Sequence, residues 1–74
     1  MLKSGIEHQL NKYTDKINLD EALQKIDDFL YNHELEFGNI VCMFIYKKED
    51  RLELSFLSSP SVSDRLEIEY QKED

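Results

Sequence analysis

The stretch from Asn39 to Leu57, NIVCMFIYKKEDRLELSFL, constrains the fold more than any other part of the chain. Ile40–Tyr46 combines β-branched and aromatic residues without Gly or Pro. It is too short for a buried helix and predicts a strand. Arg51–Phe56 alternates, with Leu52, Leu54 and Phe56 on one side and Arg51, Glu53 and Ser55 on the other. The charged residues between them, Lys47 to Asp50, predict a solvated hairpin loop of about three to five residues. A loop of about four would put Val41, Met43 and Ile45 on the face of Leu52, Leu54 and Phe56; an odd loop would put Cys42, Phe44 and Tyr46 there. In either register the first strand is apolar on both faces and the second on one.

That mismatch matters because the chain is short. At 74 residues it holds one small domain, which buries only about 60% of its unfolded surface. We expect a single domain over 1–74, with 1–3 and 71–74 frayed. Cys42 is the only cysteine, so no disulfide can form within the chain, and a cytoplasmic location is expected. No Cys/His cluster suits a structural zinc. The longest apolar run is far too short to span a membrane, and Met1–Gly5 lacks the apolar segment of a secretion signal. What remains to support a small core is self-association or a partner.

Two helices are predicted upstream. Ser4 with Glu7 has the form of a capping box, and Ile6, Leu10, Tyr13 and Ile17 share one helical face. The dominant helix runs from Leu19 to about Glu36, capped by Asn18 and carrying Asp20 and Glu21 in its first turn. Its apolar stripe is Leu19, Ala22, Leu23, Ile26, Phe29, Leu30, His33 and Phe37. Gly38 is placed to terminate it. Downstream, Ser58–Asp64 reads as a loop around Pro60. Arg65–Tyr70 alternates again and predicts a third strand, with Leu66, Ile68 and Tyr70 on one face.

The assembly expected is α+β: two helices, one dominant, packed on one face of a small three-stranded, mainly antiparallel sheet. A simple meander would leave the apolar first strand on an edge, which folded proteins ordinarily avoid. Either the third strand crosses to the far side of the first, or the first strand pairs with another chain.

Neither histidine reads as catalytic. His33, near a helix C-terminus, suits packing or capping, and His8 has no placed partner. Cys42, in a buried strand, suits an inert apolar role. No nucleotide-binding, metalloprotease or nucleophile-elbow motif is present, so no enzymatic role, cofactor or metal is expected. A net charge of −7 opposes direct binding to nucleic acid or anionic lipid but permits a basic protein partner.

These features point to a small acidic protein-binding module, an inhibitor or adaptor acting on a basic, nucleic-acid-handling protein. The acids would gather on the outer face of the dominant helix (Asp20, Glu21, Asp27, Asp28) and on the outer face of the sheet (Glu53, Glu67, Glu69), where Arg51 and Arg65 would offset their repulsion, with Tyr31 and Tyr46 as aromatic anchors. Such a surface reads first as a solvated face that keeps a small domain soluble and, more sharply, as carboxylates that imitate duplex phosphates. The alternative is a self-associating homodimer closed through Val41, Cys42, Met43, Phe44, Ile45 and Tyr46.

Overall fold

The computed structural model describes residues 1–59 and 61–72. Its elements are helices α1 (Lys3–Leu10) and α2 (Leu19–Asn32) and strands β1 (Cys42–Lys47), β2 (Arg51–Ser58), β3 (Ser61–Val62) and β4 (Leu66–Glu69). The fold is α+β, with an antiparallel sheet whose central strand is β2. β1 pairs along one side of β2, while β3 and β4 share the other, so three strands run abreast at any level. The third strand therefore does not cross to the far side of the first. The chain is a meander, and among the described residues β1 is an edge.

Cross-strand partners Met43–Phe56 and Ile45–Leu54 place Met43 and Ile45 on the face of the alternating leucines. The turn is shorter than the charge run predicts. Lys48 N–H donates to Arg51 C=O at 2.9 Å, leaving Glu49 and Asp50 as the turn. Loops of two and four residues give the same side-chain parity, because strand side chains alternate with period two. Val41 departs from that face. It lies just before β1 and is exposed, while Ile40 turns inward and is buried. The pairing sum shifts by one residue between β3 and β4, from Leu57–Val62 to Leu54–Leu66. Ser63 bridges the shift: its hydroxyl accepts from Phe56 N–H at 2.9 Å and donates to Asp64 C=O at 2.9 Å. An extra residue of this kind is a bulge. The predicted loop thus contains the two paired residues of β3; Pro60 lies outside the described residues, as do Glu73 and Asp74 of the predicted tail.

The core is one cluster on one face of the sheet. Met43, Leu52, Leu54, Phe56 and Ile68 meet Ile6, Leu10, Ile17, Ala22, Leu23, Ile26 and Leu30 from the helical layer. Asn18 caps α2 as its sequence predicts, its side chain accepting from Glu21 N–H at 3.0 Å. α2 stops earlier than predicted. Glu34 takes a left-handed conformation at φ 58°, Glu34 N–H donates to Tyr31 C=O at 3.1 Å, and Leu35 N–H donates to Leu30 C=O at 2.8 Å. This is a Schellman motif with glutamate where glycine is usual. It turns Leu35 back onto the core and leaves His33 exposed, its ring stacked on Phe29 at 4.1 Å between centroids. Gly38 sits instead in a 3-10 turn, Phe37–Asn39, closed by reciprocal side-chain caps from Glu36 and Asn39.

The N-terminal helix also differs from its prediction. It starts at Lys3, with Leu2 as a cap that makes no side-chain bond, so Ser4 and Glu7 lie inside the helix and form no capping box. The reason is an anchor upstream: Met1 packs against the core, and its amine donates to the carbonyls of Phe37 and Ile40. Residues 1–3 are therefore held, and Gln71 is held too, its N–H donating to Lys16 C=O at 2.7 Å.

Candidate protein-binding surface

The face of the sheet turned away from the helices carries Cys42, Phe44 and Tyr46 from β1 and Glu53, Ser55 and Leu57 from β2. Glu67 and Glu69 project from β4 on the same side. Glu53 lies at its centre. Its carboxylate accepts from Arg65 Nη1 at 2.8 Å and from Arg51 Nε at 3.1 Å. Arg65 reaches further still, its guanidinium carbon standing 3.9 Å from the centre of the Tyr46 ring. Arg65, at the start of the β4 edge, thus spans the central strand to β1. Flanking side chains shield the middle of the face, so Glu53 is only 7% exposed although no helix covers it.

Electrostatics follow from that geometry. The Arg65 hydrogen bond holds the Glu53 carboxyl below the usual carboxylate range; burial opposes the shift, and the bond and charge from Arg51 reinforce it. Glu53 is paired twice within its own chain. Glu67 is exposed, with Arg51 Nε at 3.6 Å.

The acidic residues expected to bind a partner lie on two opposite sides of the molecule. Asp20, Glu21, Asp28 and Tyr31 are exposed on α2, in the helical layer. Asp27 is half-buried and paired to Lys3 Nζ at 3.3 Å. Glu53, Glu67 and Glu69 belong to the opposite side of the sheet. The carboxylates do not form a continuous row, and Glu53 is not a free member of it.

The residues expected to support self-association are arranged differently. Met43 is buried and Ile45 half-buried, both toward the core, so they offer backbone and not side chain at the surface. Val41, Phe44 and Tyr46 are exposed and apolar, with Cys42 half-buried beside them. Because Lys48 bonds to Arg51, alternation along an antiparallel ladder turns the backbone groups of Cys42, Phe44 and Tyr46 toward β2. Those of Met43, Ile45 and Lys47 point to the open edge. An unpaired strand edge with an apolar strip alongside is a template for another strand.

Among the described residues, one open hollow lies against Tyr31, Leu35 and Glu36 and another at the hairpin tip among Glu49, Arg51, Glu69 and Tyr70. Among the described residues no group of three or more His, Cys, Asp or Glu could hold a metal ion, and no helix is long and apolar enough to cross a membrane. Alternation already puts Arg51 and Arg65 on the face of Glu53; what it does not show is that Arg65 reaches on to stack against Tyr46. No known protein family, curated protein or solved structure matches this chain.

Proposed function

We propose that this chain is a non-catalytic protein-binding module that engages its partner through the edge of β1 and the apolar strip beside it. The observation that carries this reading is the coincidence of the sheet's terminal strand with exposed Val41, Phe44 and Tyr46. A partner strand added there would gain main-chain hydrogen bonds from Met43 and Ile45 and apolar contact from Phe44 and Tyr46. Charge favours the same place: residues 37–48 contain no Asp or Glu, in a chain that holds 16. The test is partner binding by Phe44→Lys, with circular dichroism to check the fold. Loss of binding supports the reading; binding unaffected by Phe44→Lys removes β1 as the surface.

A second reading is favoured by one observation. Tyr31 is 83% exposed on α2, one turn from Asp27 and Asp28. In this reading the chain is an inhibitor or adaptor that docks α2 on a basic, nucleic-acid-handling protein, with Tyr31 as anchor and the carboxylates speeding encounter. Replacing Asp20, Glu21 and Asp28 by Lys would then slow association and remove its salt dependence, whereas the β1 reading expects neither change.

A further inference from the structure

We infer that the occupant of the β1 edge is a second copy of the same chain, paired antiparallel about a twofold axis that passes between the two Phe44 residues. The inference rests on the β1 reading above and names its partner.

The first argument is self-complementarity of the hydrogen-bonding pattern. On the open edge Met43 and Ile45 present both backbone groups, while Phe44 between them turns its own toward β2. A twofold axis at Phe44 lets Met43 of one copy exchange both bonds with Ile45 of the other, and the reverse. The Phe44 pair then occupies the non-hydrogen-bonded site, where side chains stand closest. Phe44 meets Phe44, and Tyr46 meets Cys42, so two half-exposed strips become one continuous patch across the joined outer faces. Aromatic cross-strand pairs are among those that stabilise a sheet.

The second argument is charge. Two copies that each carry −7 repel on most approaches. The β1 edge is the exception, with an acid-free run from 37 to 48 whose only charges are Lys47 and Lys48. The acids on β4 lie across the sheet from it. Antiparallel pairing keeps the two lysine pairs about 20 Å apart along the strands, well beyond the roughly 8 Å screening length. Parallel pairing would set them side by side.

The third argument fixes the register. Lys47 shares the inner-face parity of Met43 and Ile45 and stands opposite Leu52 at the strand's end. With the axis at Phe44, Lys47 falls opposite Val41 of the other copy, which is 60% exposed. Sliding the axis to Ile45 would bring Lys47 against Met43, which is 6% exposed at the core. The desolvation of that ammonium disfavours the slipped arrangement. A ladder this short buries less than the roughly 1,200 Å² of a tight complex, so the dimer is expected to be reversible and concentration-dependent.

Sedimentation equilibrium of the intact chain, from micromolar to about millimolar concentration, tests this. The expected result is a monomer of 8.8 kDa passing reversibly to twice that mass. Phe44→Glu and Phe44→Lys should each weaken dimerisation at least tenfold, because like charges then face each other across the axis. An equimolar mixture of the two should recover a one-to-one heterodimer. Phe44→Cys in a Cys42→Ser background should form an interchain disulfide on air oxidation, since strand positions paired this way have suitable Cα separations, whereas Lys47→Cys in the same background should not. A wild-type chain that stays monomeric throughout overturns the inference. If such a monomer still binds another protein and loses it on Phe44→Lys, the binding-module reading stands without self-pairing. A dimer indifferent to both charge variants overturns the inference, and the β1 reading then falls only if partner binding is also unaffected by Phe44→Lys. Weakening by each variant without recovery in the mixture, or without the Phe44→Cys crosslink, overturns the proposed axis.

Discussion

The Tyr70 hydroxyl donates a hydrogen bond of 2.6 Å to the backbone carbonyl of Lys48. Lys48 opens the β1–β2 turn, and Tyr70 follows the last residue of β4, so one phenol ties the two ends of the sheet's tip together. Tyr70 N–H adds a bond of 3.2 Å to Asp50 C=O, and Lys16 Nζ stands 5.2 Å from the centre of the Tyr70 ring. Tyr70 therefore links the hairpin turn, the last strand and the connector between the helices.

Replacing Tyr70 by Phe should lower stability by about 1 kcal/mol, the usual net value of such a bond, and should lower the melting temperature by roughly 4–8 °C for a domain of this size. A melting temperature unchanged within a degree would show that water replaces the phenol at Lys48 without loss. The alkaline titration offers a second measurement. Burial, followed by the charge of Asp50, raises the Tyr70 pKa above its ordinary value. A raised acid favours the folded state below its unfolded pKa of about 10, and that contribution is lost as pH rises through the folded value. In an absorbance titration a component that ionises above the ordinary tyrosine value should be present in the wild type and vanish in Tyr70→Phe.

At the centre of the outer face the sign is reversed. Glu53 has a lowered pKa, caused first by its bond to Arg65. Its contribution is complete above the ordinary carboxylate pKa of about 4.3 and is lost as pH falls through the lower folded value. Chemical unfolding midpoints measured from pH 6 down to pH 2 should fall less steeply for Glu53→Gln than for the wild type. Equal slopes would assign the acid sensitivity to other carboxylates.

The parts of this fold that were legible in sequence are those fixed by alternation and by local caps. Leu52, Leu54 and Phe56 announce the buried face of β2, Leu66 and Ile68 that of β4, and Asn18 the start of α2. The length of the hairpin turn was not legible, because Lys47 to Asp50 contains no Gly or Asn to mark its centre. The same alternation places Arg51 and Arg65 on the outer face with Glu53. The reach of Arg65 over β2 to Tyr46 was not legible, because Arg65 lies 12 residues from Glu53 in sequence and only strand register brings it there.

Core truncation should be close to fatal. Leu54 is fully buried on the central strand, and Leu→Ala at such sites costs about 2–5 kcal/mol. A domain of this length has only about 4–11 kcal/mol of stability in total. Leu54→Ala should therefore shift the urea midpoint by about a fifth or more, whereas Val41→Ala, at an exposed site, should move it by less than about 0.5 kcal/mol equivalent. Comparable shifts from the two would contradict the placement of Leu54 inside and Val41 outside.

The end of α2 supports a paired prediction. Glu34 occupies a left-handed conformation, which costs an L-residue with a side chain roughly 1 kcal/mol relative to Gly. Gly38 has no positive φ, and a Cβ placed there would meet nothing within 4 Å. The conformational freedom of glycine is thus useful at 34, where it is missing, and unused at 38, where it is present. Glu34→Gly should stabilise the fold by about 1 kcal/mol, with the Schellman bonds retained. Gly38→Ala should also stabilise it, by about 0.4–1 kcal/mol, through a smaller unfolded-state entropy. Were α2 instead to continue to Glu36 and stop at Gly38, both signs would change: Glu34→Gly would weaken a helix interior, and Gly38→Ala would strain the terminus. Thermal unfolding of the two single variants decides between these arrangements, because each predicts the opposite direction at both positions.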